Sequence, residues 1–137
     1  MKTYHAVIDT NVIVAALLTT NQQSATVKVV DALLKGNIKP LYNEDILTEY
    51  DDVLRRDKFH FTSETIGFLI NEIRRYGINS ERVNSGEYFP DPKDVVFYEV
   101  ALSKDDAYLV TGNIKHFPRK PIVVTPAEMM AIIDADD

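Results

Sequence analysis

The stretch AVIDTNVIVAALL, residues 6 to 18, begins as a short apolar run, carries one carboxylate at Asp9 and continues as a helical pattern. An acid beside so much apolar surface costs several kcal/mol unless a cation, a donor network or a helix N-terminus pairs with it. Tyr4 to Ile8 therefore reads as a buried strand ending at Asp9, with Thr10 capping a helix that carries Val12 to Leu18. The rest of the chain has to answer the charge of Asp9.

Working outward, strands and helices alternate. A helix is expected from about Ser24 to Lys35, with Val27, Val30 and Leu34 on one face and Gly36-Asn37 ending it. Ile38 to Tyr42 reads as a strand that Pro40 places nearer an edge. Asn43 caps a helix running to about Arg56, whose apolar stripe is Ile46, Leu47, Tyr50, Val53 and Leu54. A further helix spans Ser63 to Tyr76 and stops at Gly77.

Ile78 to Val83 is a weaker strand, because Asn79, Ser80 and Glu81 lie inside it. Asp91 at an N-cap and Pro92 in the first turn open a helix with Val95 to Leu102 as its body. Tyr108 to Thr111 is a strand, Gly112 to Pro118 a loop or short turn, and Ile122 to Val124 the last strand. Pro126 then opens a closing helix through Met129, Met130 and Ile133. Strands that are apolar throughout rather than alternately indicate a sheet covered on both faces. The expected fold is a three-layer α/β/α domain over residues 1–137, with a central, mostly parallel sheet of four to five strands.

Composition narrows the chemistry. The 137 residues are 45% hydrophobic and 26% charged, with a formal net charge of −6 and no cysteine. Disulfides and thiolate metal sites are excluded, so a bound metal has to use oxygen or imidazole ligands, which favours a hard cation. No apolar stretch is long enough to span a bilayer, and a cytoplasmic location is expected. The acidic balance argues against a plain electrostatic grip on nucleic acid, unless several acids are gathered in one pocket.

In a parallel sheet, ligands bind beyond the carboxyl ends of the strands. Asp9 follows the first strand, Glu49 lies one turn into the helix after the second, Asp94 opens the helix before the fourth, and Asn113 follows that strand. At about 100° per residue, Glu49 borders the Ile46-Tyr50-Val53 stripe, whereas Asp45, Asp51 and Asp52 turn toward solvent. Asp94 shares a face with Phe97, Tyr98 and Ala101, so it lies against the packed side. Acids drawn to one rim raise one another's pKa unless a divalent cation neutralises them. Magnesium or manganese suits carboxylate oxygens and keeps waters for a substrate phosphate.

The blocks VIDTNVIVAALL (7–18), ILTEYDDVL (46–54) and FPDPKDVVFYEVALSKDDAYLVTGNIKHF (89–117) resemble a PIN domain, most closely the toxin components of VapBC-type toxin–antitoxin systems. That resemblance implies an endoribonuclease whose acidic positions gather magnesium or manganese, with Asp9, Glu49 and Asp94 on three of them. At the fourth position the chain departs, having Asn113 where an aspartate is usual. An amide oxygen there ligates more weakly than a carboxylate. The resemblance further implies that Asn11 and Thr111 line the site, that Asp91 is an outer acid, and that the partners are RNA, a cognate antitoxin and a second copy of the chain. Arg55, Arg56, Lys58, Lys115 and Lys120 are candidates to rim the pocket and hold RNA backbone, while His5, His60 and His116 are scattered along the chain and none reads as catalytic.

The chemistry expected is metal-assisted hydrolysis of a phosphodiester, with no side-chain nucleophile. A PIN-like protein that binds an antitoxin or RNA without cutting is the competing reading, and Asn113 is the feature that favours it. A phosphoacceptor receiver domain would need a strand ending near Asp51 or Asp52, where the pattern is helical. Haloacid-dehalogenase-like chemistry would want an acid where Asn11 stands.

Overall fold

In the computed structural model, which describes residues 2–136, the opening apolar run becomes the middle strand of the sheet. This strand, β1 (Tyr4–Ile8), is buried at every position except His5, which is half-buried. It is followed by α1 (Thr10–Leu18), α2 (Ala25–Leu34), β2 (Ile38–Tyr42), α3 (Glu44–Leu54), α4 (Ser63–Tyr76) and β3 (Ile78–Asn79). The chain then runs through α5 (Val95–Ala101), β4 (Ala107–Val110), β5 (Val123–Val124) and α6 (Pro126–Ala135). All five strands pair in parallel, in the order β3-β2-β1-β4-β5. The helices cover both faces: α2 packs on α1 and α6, while α3 packs on α4 and α5. This is the three-layer α/β/α arrangement.

Chain direction across the sheet reverses between β1 and β4. From β1 the chain steps outward to β2 and β3, then returns to lay β4 on the other side of β1, with Ile8 opposite Val110. The connection from β1 runs to β2 on one side and that from β4 to β5 on the other, and such divergence from two adjacent strands opens a crevice at their carboxyl ends. Asp9 and Thr111 are the residues that follow those two strands. Beneath them the core is continuous, from Ala6, Val7 and Ile8 through Ile46 and Tyr50 to Tyr98 and Leu109, all but sealed from solvent.

Several local expectations are corrected. Asp9, not Thr10, takes the cap position of α1, and its side chain makes no cap bond; Thr10 is the first, buried residue of the helix. Strand β2 is interior rather than near an edge. Pro40 is tolerated because β3 is only two residues long and pairs with Leu41 and Tyr42, leaving no strand beside Pro40 on that side to miss its N–H. Gly77 makes this possible, since a Cβ there would come within 2.5 Å of the Ile73 carbonyl oxygen and 2.6 Å of that of Pro40.

The expected strand to Val83 stops at Asn79. The Ser80 amide still donates to the Tyr42 carbonyl at 2.7 Å, after which the polar run leaves the sheet. Helix α3 ends at Leu54 instead of Arg56. Asp91 does cap, accepting from the Lys93 amide at 3.0 Å, but the turn it caps is a 3-10 turn over Pro92–Asp94 that precedes α5. Strand β4 begins at Ala107 and ends one residue before Thr111, which frees the threonine side chain for the crevice.

Candidate active site

A pocket of about 360 Å³ opens at this crevice. Helix α1 and the residue before it contribute Asp9, Thr10, Asn11 and Val14; α3 contributes Glu49 and Val53. The turn into α5 supplies Asp91, Lys93 and Asp94, with Phe97 behind them, and the segment after α3 supplies Arg56 and Phe59. Carboxylates from stretches some 40 residues apart in sequence thus meet in one hollow.

Asp9 is the fixed member. It is only 7% exposed, and its Oδ2 accepts a hydrogen bond from the Thr111 hydroxyl at 2.8 Å. Burial pushes its carboxyl above the ordinary range; the Thr111 hydroxyl and the Thr10 and Asn11 amides pull it back, and the charge of Glu49 raises it further. Thr111 is itself fully buried, and its Oγ1 accepts from the Asn113 amide at 3.0 Å. Underneath, the buried Tyr50 hydroxyl donates to the Ile8 carbonyl and holds the end of β1 against α3. Burial and the charge of Asp9 push that phenol far up, so Tyr50 stays a neutral donor.

Asp94 is held differently. Its side chain is 17% exposed, and Oδ2 is buried without a hydrogen-bond partner; the nearest imidazole, that of His116, has Nδ1 3.7 Å away. Its carboxyl is pushed up to about 6, chiefly by burial, then by the charges of Asp9 and Asp91, with His116 opposing and Glu49 adding to the rise. An acid with an unmet acceptor among other acids is an incomplete arrangement, since a buried polar atom without a partner costs roughly 1–3 kcal/mol.

Among the described residues, no three acidic or imidazole side chains lie close enough together to hold one ion as they stand. The donor chemistry nonetheless fits a hard divalent cation. The acids lining the pocket offer only oxygen, one buried carboxylate oxygen is unpartnered, and the carboxyls of Asp9 and Asp94 are raised by burial and neighbouring acids in the way a cation would relieve.

The segment that delivers Asp94 is anchored from behind. Between β3 and the turn at Pro92 the chain has no regular structure, and Glu99 of α5 clasps it. The Glu99 carboxylate accepts from the Ser85 amide at 2.7 Å and from Arg82 Nε at 2.9 Å. Burial raises this carboxyl, but those donors outweigh burial and hold it below its usual range. Phe89, at the end of the segment, packs its ring on Tyr98 and Phe117.

The other expected site residues are distributed unevenly. Asn11 lines the pocket, and its Oδ1 accepts from the Gly112 amide at 3.5 Å. Thr111 touches the pocket through Asp9. Asn113 is exposed, and its contribution here is the backbone bond to Thr111. Lys115 borders a separate, largely apolar hollow with Ile114, Phe117 and Arg119. Arg55 is turned away: Nε donates to Asp51 at 2.9 Å and Nη1 to Ser63 at 3.2 Å. Among the described residues, the cations lining the pocket are Arg56 and Lys93. Sequence reasoning also missed Phe59, and it passed over His116, which stands beside Asp94. Ile114–His116 forms a single 3-10 turn with no periodicity by which a sequence reveals direction.

A family model described as PIN domain matches residues 5–115, a span that runs from β1 past β4 and contains every residue of this pocket. No curated protein matches the chain. No helix among the described residues is long and apolar enough to cross a membrane.

Proposed function

The chain belongs to the PIN domain family, whose members are generally nucleases, and from that premise we propose that it is a magnesium- or manganese-dependent endoribonuclease, the toxin of a type II toxin–antitoxin pair. The observation that carries this reading is the meeting of Asp9, Glu49 and Asp94 in one pocket, with an Asp94 oxygen that nothing in the chain satisfies. Asp9, Glu49 and Asp94 would hold the cation. When bound, it supplies positive charge against the phosphodiester and its leaving oxygen.

The chain's own residues do the rest. Thr111 fixes the Asp9 carboxylate toward the pocket, so the acid does not reorient during turnover. Glu49, half-buried on α3, faces the same space and orients the attacking water. Hydrolysis forms one phosphorus–oxygen bond from that water and breaks the one to the ribose, and the water's proton passes to a carboxylate or to solvent. Asn11 lines the entry and hydrogen-bonds the substrate. In this reading the protein is cytoplasmic, pairs as a homodimer and is neutralised by its antitoxin.

A second reading, binding of RNA or an antitoxin without cleavage, draws support from Asn113 in a place where an acid is usual and from acids too far apart to share an ion as they stand. One experiment separates the two: cleavage of a mixed RNA pool with manganese by the wild type and by Asp94→Asn. Cleavage is expected to fall by about a hundredfold or more in the variant. Manganese should also raise the melting temperature of the wild type and not of the variant. Equal cleavage by the two proteins overturns the nuclease reading, and so does none by either at any manganese concentration.

A further inference from the structure

We propose that Phe59 and Arg56 form a subsite for one unpaired nucleotide of the substrate, the ring stacking on its base and the guanidinium meeting its phosphate. The inference rests on the nuclease reading for its choice of substrate. What it adds is a recognition element that the acids cannot provide.

Three observations converge on this corner of the pocket. Phe59 lines the same hollow as Asp9, Glu49 and Asp94 and is half-buried. Its ring stacks on Phe61, with centroids 5.6 Å apart and planes at 15°. Phe61 packs against the hydrophobic core, whereas Phe59 is outside it. The inner ring thus serves as a footing for the outer one, which has no core to fill and is covered by the Lys58 ammonium 5.1 Å from its centroid, a flexible cation that an incoming base displaces.

Between the two rings, His60 takes a left-handed backbone conformation with φ 59°. A residue with a Cβ adopts it at a cost of roughly 1–2 kcal/mol. There His60 ends the 3-10 turn Asp57–Phe59, its amide donating to the Asp57 carbonyl at 3.3 Å. Here it brings Phe59 and Phe61 face to face.

Arg56 is the third observation. It is exposed at the pocket, and among the described residues it forms no ion pair, although its neighbour Arg55 is bonded to Asp51. An unpaired guanidinium at the mouth of an acidic hollow meets the charge of an incoming phosphate without first breaking a bond. Every base offers a π face, so a ring lining the same pocket as that cation holds a nucleotide with little regard to sequence. Bases in a duplex already stack on each other, and the subsite therefore selects unpaired strands.

The test uses a single-stranded RNA carrying one 2-aminopurine, whose fluorescence drops on stacking, with calcium as the divalent ion, and the same RNA as a duplex. Phe59→Leu keeps an apolar side chain without a π face, and thermal melts establish that it folds. It should weaken single-strand binding between about 5- and 150-fold and abolish the quench, with duplex binding nearly unchanged. Phe59→Trp should retain both affinity and quench. Arg56→Gln should reduce the log–log salt slope of binding by about 0.7 while the quench survives.

An unchanged quench and affinity in Phe59→Leu overturns the inference, as does an equal loss on single strand and duplex. The nuclease reading stands apart from this result. If wild type cleaves in an Asp94-dependent way while Phe59→Leu binds normally, only the subsite falls. If the quench depends on Phe59 and no protein cleaves, only the nuclease reading falls.

Discussion

Two carboxylates of the pocket come from regions built in opposite ways. Asp9 stands at the end of the central strand, where β1 and β4 are locked in register and a buried threonine bonds its oxygen. Asp94 stands at the end of a turn that follows an irregular segment, and its buried oxygen has no donor. The sheet completes one acid from within the fold. The segment before α5 delivers the other incomplete, so its stability and its chemistry pull in different directions. Both acids are destabilised by burial, yet Asp9 is answered by hydrogen bonds from the chain, whereas Asp94 is answered only by the imidazole of His116 at 3.7 Å.

The contrast breaks first, and by the largest amount, at Thr111. Thr111→Val removes the hydroxyl from a buried carboxylate and should cost about 1–3 kcal/mol, seen as a drop of several degrees in the melting temperature. Thr111→Ser, which keeps the donor, should recover most of it. If the valine variant melts with the wild type, Asp9 is not held from within.

The next effect is smaller and opposite in sign. Asp94→Asn, measured without divalent ions at pH 7, should raise the melting temperature by a few degrees, because it removes an unmet charge from among acids. The folded Asp94 carboxyl lies near 6, above its ordinary 3.8, so the folded chain binds that proton more tightly than the unfolded one. The stability the proton supplies is present below about pH 4 and lost as pH rises through 6, when the carboxylate must ionise in place. The advantage of Asp94→Asn should therefore shrink as melts are taken from pH 7 down to 4. A difference between the two proteins that stays flat with pH removes the contrast.

Smallest of all is Arg55→Ala. Its partner Asp51 is a surface residue and the pair is exposed on both sides, so the change in stability should stay under about 0.5 kcal/mol. A larger loss in melts would mean that this end of α3 is tied down more firmly than its contacts indicate.

The elements with strong periodicity were legible in the sequence because their burial repeats. The Ile46-Leu47-Tyr50-Val53-Leu54 stripe of α3 buries as its spacing requires, and with it the direction of Glu49 was set. The acids Asp9 and Asp94 were legible because each sits beside an apolar run that dictates which way it faces. Residues outside such runs were not. Arg55 and Arg56 lie beyond the last turn of α3, where no period tells which one turns inward. Phe59 ends a three-residue 3-10 turn, too short for a hydrophobic pattern to encode which way it faces. The placement of Pro40 depended on the brevity of β3 and on contact with Gly77, both properties of a neighbouring strand.

The parallel pairing of β1 with β4 also has a consequence in time. Thr111 lies 102 residues after Asp9, and at the roughly 5–20 residues per second of protein synthesis the first strand waits seconds for its second neighbour. For most of that interval a nascent chain displays Asp9 but lacks Asp94, and throughout it lacks the threonine that seats the first acid. The first acid is seated only once β4 has been made and laid beside β1.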